Sequence, residues 1–94
     1  MSLNVADVVF SLNGRDEGKL FIVIGTQDEY SLLADGKGRR VEKPKRKKNK
    51  HLRLENKVDG KIAEKLHGEE RVTNNEIRRA LAEYLAARGE KGGM

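Results

Sequence analysis

The period of the hydrophobic pattern changes once along the chain, near residue 58, and that switch limits the fold more than any other feature. Before it, apolar residues alternate or come in short β-branched runs, the signature of strands. After it they recur at intervals of three and four, the signature of helices. A mainly-β α+β fold is therefore expected, with strands first and helices last. Strands are placed at Asp7 to Leu12, at Leu20 to Gly25 (a run apolar enough to be buried on both faces) and at Tyr30 to Ala34. Asn13-Gly14-Arg15-Asp16-Glu17-Gly18 and Thr26-Gln27-Asp28-Glu29 turn the chain between them. Asp35-Gly36-Lys37-Gly38 carries a primed-turn signal, which assigns a short fourth strand to Arg39 to Glu42, ended by Pro44. His51 to Leu54 alternates and is read as a fifth strand closing the sheet. Short strands joined by tight turns suggest a small curled sheet or barrel.

Two helices follow. Asp59 is placed to cap the first, over Lys61 to His67, with Ile62, Ala63 and Leu66 on one face and Gly68 as its stop. Thr73 and Glu76 form a capping box for the second, and Val72 with Ile77 occupy the hydrophobic-staple positions. Its apolar stripe is Ile77, Ala80, Leu81, Tyr84 and Leu85, expected to dock on the sheet, while Arg78, Arg79 and Glu83 face away. Arg88 lies in the expected last turn, Gly89 at the stop, and Glu90 to Met94 should fray. With 94 residues, only 36% of them apolar, the chain can support one thin core, so the helices must cover part of the sheet. Residues 1–56 are expected to form the barrel, including a basic segment at 43–53, and residues 57–94 a helical extension packed on it.

The charge is uneven. Residues 1–34 hold two basic and five acidic side chains, residues 35–53 hold ten basic and two acidic, and residues 54–94 hold eight of each. Half of all Lys and Arg therefore lie in one fifth of the chain, peaking at Lys43-Pro44-Lys45-Arg46-Lys47-Lys48-Asn49-Lys50. Such a run repels itself unless an anion neutralises it. A solvated loop is one outcome; a phosphate-contacting segment, releasing counterions from a nucleic acid, is the favoured one. Only one aromatic, Tyr30, lies near the run, which argues against base stacking as the main source of affinity and for phosphate and groove contacts to folded RNA. The expected RNA-binding residues are Lys37, Arg39, Arg40, Lys43, Lys45, Arg46, Lys47, Lys48, Lys50, His51 and Arg53. Arg15 and Lys19 join them from the first turn, though either could instead pair with Asp16 or Glu17.

Val8-Val9-Phe10, then Gly14-Arg15-Asp16-Glu17-Gly18-Lys19, then Leu20 to Ile24 resembles a KOW motif, a strand, a glycine-marked loop and a second strand. Gly18 matches its hallmark glycine, where a sharp turn needs positive φ. Lys19-Leu20-Phe21 follows where many such motifs carry another glycine. Asp35-Gly36, Arg39-Arg40, Lys43-Pro44-Lys45 with His51-Leu52, and Thr73 to Leu81 extend the likeness over most of the chain. The whole is similar to small bacterial KOW-domain RNA-binding proteins, relatives of the fourteenth large-subunit ribosomal protein of archaea and eukaryotes. That resemblance implies an SH3-like barrel, a role in the translation machinery and ribosomal RNA or the ribosome as partner.

Catalytic signals are lacking. The chain has no cysteine, so thiolate chemistry and disulfides are excluded. His51 and His67 are far apart, His67 with Glu69 and Glu70 suits no common metal-ligand spacing, and neither Ser11 nor Ser31 sits in a nucleophile elbow. A non-enzymatic protein without cofactor is expected. The longest apolar run, Leu20 to Ile24, cannot span a bilayer, and the start of the chain shows no leader pattern, so a cytoplasmic monomer is expected. A protein-interaction module or a transcription-elongation accessory is the alternative; an apolar patch left exposed on the last helix would favour the former.

Overall fold

The computed structural model describes residues 2–92, with side chains through Arg88. Five strands, β1 (Asp7–Ser11), β2 (Leu20–Gln27), β3 (Tyr30–Ala34), β4 (Lys45–Lys48) and β5 (Leu52–Lys57), precede α1 (Gly60–His67) and α2 (Asn74–Gly92). They form one antiparallel sheet in the order β4-β3-β2-β1-β5. A three-residue 3₁₀ turn, Asn49–His51, joins the two edge strands. It is stitched to both sides of the sheet: Asn49 N donates to Glu29 O at 2.8 Å, and Leu12 N donates to His51 O at 2.9 Å. The buried Ser31 hydroxyl donates to Asn49 Oδ1 at 2.6 Å.

The central strands are buried on both faces, as the apolar run Leu20 to Gly25 implied. Alternation sends Val9, Phe21, Val23 and Leu33 to one side, where they pack with Leu3 and Leu52. It sends Val8 and Ile22 to the other, where Leu66, Val72, Ile77 and Leu81 of the helical region cover them. Register shifts between Val8 and Val9 and between Val23 and Gly25 bend the sheet, because an extra residue on one strand increases its local twist.

The fourth strand lies elsewhere than the turn signal implied. Arg39 to Glu42 is loop, and β4 is formed by the basic run after Pro44, not before it. Asp35-Gly36 does turn the chain, but Asp35 Oδ1 accepts the backbone N–H groups of Lys37 and Arg39, both at 2.9 Å. That closes a side-chain-stabilised loop and not a strand ladder. The loop then leans on α2. Asn74 Oδ1 accepts from Val41 N at 2.8 Å, and Asn74 Nδ2 donates to Glu42 Oε1 at 2.9 Å. Pro44, having no N–H to give, stands just ahead of the edge strand.

The helix termini follow their capping chemistry in part. Thr73 and Glu76 make the reciprocal box, Glu76 N to Thr73 Oγ1 at 3.1 Å and Thr73 N to Glu76 Oε1 at 2.9 Å. Asp59 stands at the N-cap of α1, but its side chain makes no capping bond. Gly89 does not end α2, which runs on through Gly92. Gly93 and Met94, expected to fray, lie outside the described residues. Leu85 is 44% exposed and does not share in the docking assigned to it. Arg78 is not free surface charge: it is half-buried and Nη1 donates to Gly36 O at 2.6 Å.

Candidate nucleic-acid interface

The site begins with the register of β4. Lys45 stands opposite Leu33, Arg46 opposite Leu32, Lys47 opposite Ser31 and Lys48 opposite Tyr30. Because side chains alternate across a strand, the run Lys45–Lys48 is divided between two sides of the sheet edge. Lys47 reaches the β1–β2 loop, where Nζ donates to Asn13 O at 3.0 Å, and the charge of Lys45 acts on Asp16 of the same loop. Arg46 and Lys48 turn to the other side. The Arg46 guanidinium lies 3.7 Å from the centroid of the Tyr30 ring and the Lys48 ammonium 5.9 Å from it. Arg46 Nε donates to Gln27 Oε1 at 3.1 Å, which holds the guanidinium in that place.

The β1–β2 loop is organised around Asp16, which is only 5% exposed. Arg39 Nη2 bonds its Oδ2 at 2.9 Å, and Lys19 Nζ lies 3.9 Å from its Oδ1. Burial pushes the Asp16 carboxyl up, but the Arg39 hydrogen bond and the charges of Arg39, Lys19 and Lys45 outweigh it and hold the group below its ordinary value. Gly18, at φ +86°, lets the loop fold back so that its N–H donates to Ser11 O at 2.9 Å. A Cβ there would meet nothing within 4 Å, so conformation and not crowding requires the glycine. Arg15 and Lys19 project outward from this loop.

The thirteen expected contact residues divide by what already holds them. Arg39 and Lys19 face Asp16, Arg40 lies 3.5 Å from Glu42, and Arg53 pairs with Glu55 at 2.6 Å while stacking over Phe10. His51 is half-buried, with Nδ1 2.8 Å from Asn13 Nδ2. Arg15, Lys37, Lys43, Lys45, Arg46, Lys47, Lys48 and Lys50 have no carboxylate partner among the described residues. These eight supply the uncompensated positive charge. The Arg40–Glu42 pair is exposed on both sides and contributes little, whereas Arg39 is committed to the buried Asp16; the unpaired eight are open to an anion. Sequence reasoning missed Asp16 as an organiser, and it missed Gln27 and the Tyr30–Arg46 stack. With β4 misplaced, no cross-strand register was available to bring them together.

Among the described residues no group of three His, Asp or Glu side chains could hold a metal ion, and no helix is long and apolar enough to cross a membrane. Comparison with protein-family models gives no match, and comparison with curated proteins gives none.

Proposed function

We propose that the chain is a non-catalytic RNA-binding protein that grips structured RNA through the basic edge of its sheet, on an SH3-like KOW barrel. The observation that carries this is β4, a strand of four consecutive cations with no acidic partner among the described residues. Lysines on an edge strand also discourage edge-to-edge aggregation. Support for the barrel comes from the strand order, from the 3₁₀ turn tied to both sheet edges, and from Gly18 at positive φ in the β1–β2 loop. Placement in the translation machinery, with ribosomal RNA as ligand and the cytoplasm as location, rests on the resemblance to ribosomal KOW proteins.

Replacing Lys45, Arg46, Lys47 and Lys48 by Gln tests the assignment. Affinity for a folded ribosomal RNA fragment should fall at least about a hundredfold, while Tm holds or rises as self-repulsion is relieved. With four to six phosphate contacts, log K should fall with log salt at a slope of about −3 to −5. The fragment should outcompete unstructured RNA and duplex DNA at about 150 mM salt, because A-form shape and 2′-hydroxyls distinguish it. Equal binding of all three at every salt concentration would reduce the strand to a polycation.

A second reading has one observation in its favour. A cleft of about 420 Å³ between the β1–β2 loop and α2 is floored by Phe10, Leu20, Leu81 and the exposed Leu85. It is the apolar patch a protein partner would need. Equal binding of all three nucleic acids at every salt concentration would move the search for a specific partner to this cleft.

A further inference from the structure

We propose that the Arg46–Tyr30 stack is a binding site for one unpaired nucleobase. This rests on the RNA-binding reading above and says what feature of the RNA the basic edge selects. The Arg46 guanidinium lies 3.7 Å from the Tyr30 ring centroid and is held at its edge by Gln27 Oε1. Its inner face is thus covered and its position held, while the residue as a whole remains exposed. A guanidinium is planar and weakly hydrated, so its outer face is a ready surface for a second π-system. Every nucleobase has such a face, and stacking on an arginine plane is a recurrent way of holding a base that has left its helix.

The surroundings fit a nucleotide. Lys48 lies beside the ring, Lys50 follows it on the 3₁₀ turn, and neither is paired with a carboxylate among the described residues. The adjoining β2–β3 turn carries exposed Asp28 and Glu29, so a sugar-phosphate backbone is steered away from the turn and along β4. Within a continuous A-form stem the base faces are covered by their neighbours. The ligand is therefore a base in a bulge or loop, flanked by a stem whose phosphates meet the lysines.

Three RNA duplexes of one sequence test this: fully paired, with a single adenine bulge, and with an abasic bulge. Binding is measured by fluorescence anisotropy at about 150 mM salt. The wild-type chain should bind the adenine bulge about tenfold more tightly than the abasic one, a typical stacking increment. Arg46→Lys keeps the charge but loses the plane. It should bring the adenine-bulge and abasic duplexes to equal affinity, whatever change in affinity the two share. Tyr30→Phe should keep the preference and Tyr30→Leu should lose it. Far-ultraviolet circular dichroism checks folding, and substitution of the exposed Arg46 decides the matter even if Tyr30→Leu fails to fold. Equal wild-type binding to adenine and abasic bulges overturns the base site and leaves the RNA reading standing. A preference that survives in Arg46→Lys overturns it as well. Failure to bind any of the three duplexes overturns the RNA reading and the base site together.

Discussion

Two glycines with nearly the same backbone angle do different work. Gly18 and Gly36 have φ of +86° and +79°. Beside Gly18 there is open space, whereas a Cβ on Gly36 would sit 2.5 Å from Asn74 O and 2.8 Å from Arg78 Cγ. Gly18→Ala should therefore cost only the backbone strain, about 1 kcal/mol. Gly36→Ala adds a collision with the first turn of α2 and should cost about 2–4 kcal/mol. Chemical denaturation of the two variants measures the difference, and equal losses would mean that α2 yields freely at its start. Both glycines are visible in the sequence as turn residues. What the sequence does not show is the crowding at Gly36, since Asn74 and Arg78 come from an element far along the chain and meet it only through packing.

At the scale of elements, α2 is held at its beginning and released toward its end. Ile77 is fully buried and Leu81 is 7% exposed, but Leu85 is 44% exposed. Leu81→Ala should cost about 2–4 kcal/mol, while Leu85→Ala should cost under about 0.5 kcal/mol. Urea melts of the two variants give the comparison; similar small losses would show that the helix does not depend on the sheet. The strands β1, β2 and β3 and both helices were legible because their periodicity is local, and the Thr73–Glu76 box marks the start of α2. The fourth strand was not, because four adjacent cations carry no alternation of polarity, and the glycine turn upstream offered a nearer candidate. Only the pairing of Lys45–Lys48 with β3 makes that segment extended. The same gap explains the site: its charge was legible as composition, but its division between two sides of the sheet edge depends on register.

For the whole molecule, three carboxylates tie together parts that are distant in sequence. Asp16 bonds Arg39, Glu42 accepts from Asn74, and Glu76 binds Lys65 while closing the cap of α2. The Asp16 carboxyl is lowered despite burial, by Arg39 and the neighbouring lysines. Glu42 is lowered chiefly by the Asn74 amide, and Glu76 chiefly by Lys65. A carboxyl whose folded value lies below its ordinary value of 3.8 or 4.5 contributes stability that is complete above that value. The contribution is lost as pH falls through the lower, folded value. Tm should therefore be level between about pH 7 and 5 and drop below about pH 4. Asp16→Asn should lower Tm at neutral pH and make the acid decline shallower, as calorimetry across that range would record. A Tm that rises on acidification would contradict the role given to these groups.

The Asn74 amide grips the Val41–Glu42 loop from the first residue of α2, and that loop leads directly into β4. Anything that steadies the strand thus also restricts how often the loop and the helix part. Hydrogen exchange makes this visible at a single proton, because the Val41 amide is shielded only while both are together. An anion on β4 should slow its exchange although it touches neither partner of that bond, and Asn74→Ala should erase the slowing. By thermodynamic reciprocity, the energy that a ligand lends to the loop is energy the docked helix lends to the ligand. On the proposed reading, the start of α2 then contributes to affinity without being part of the contact.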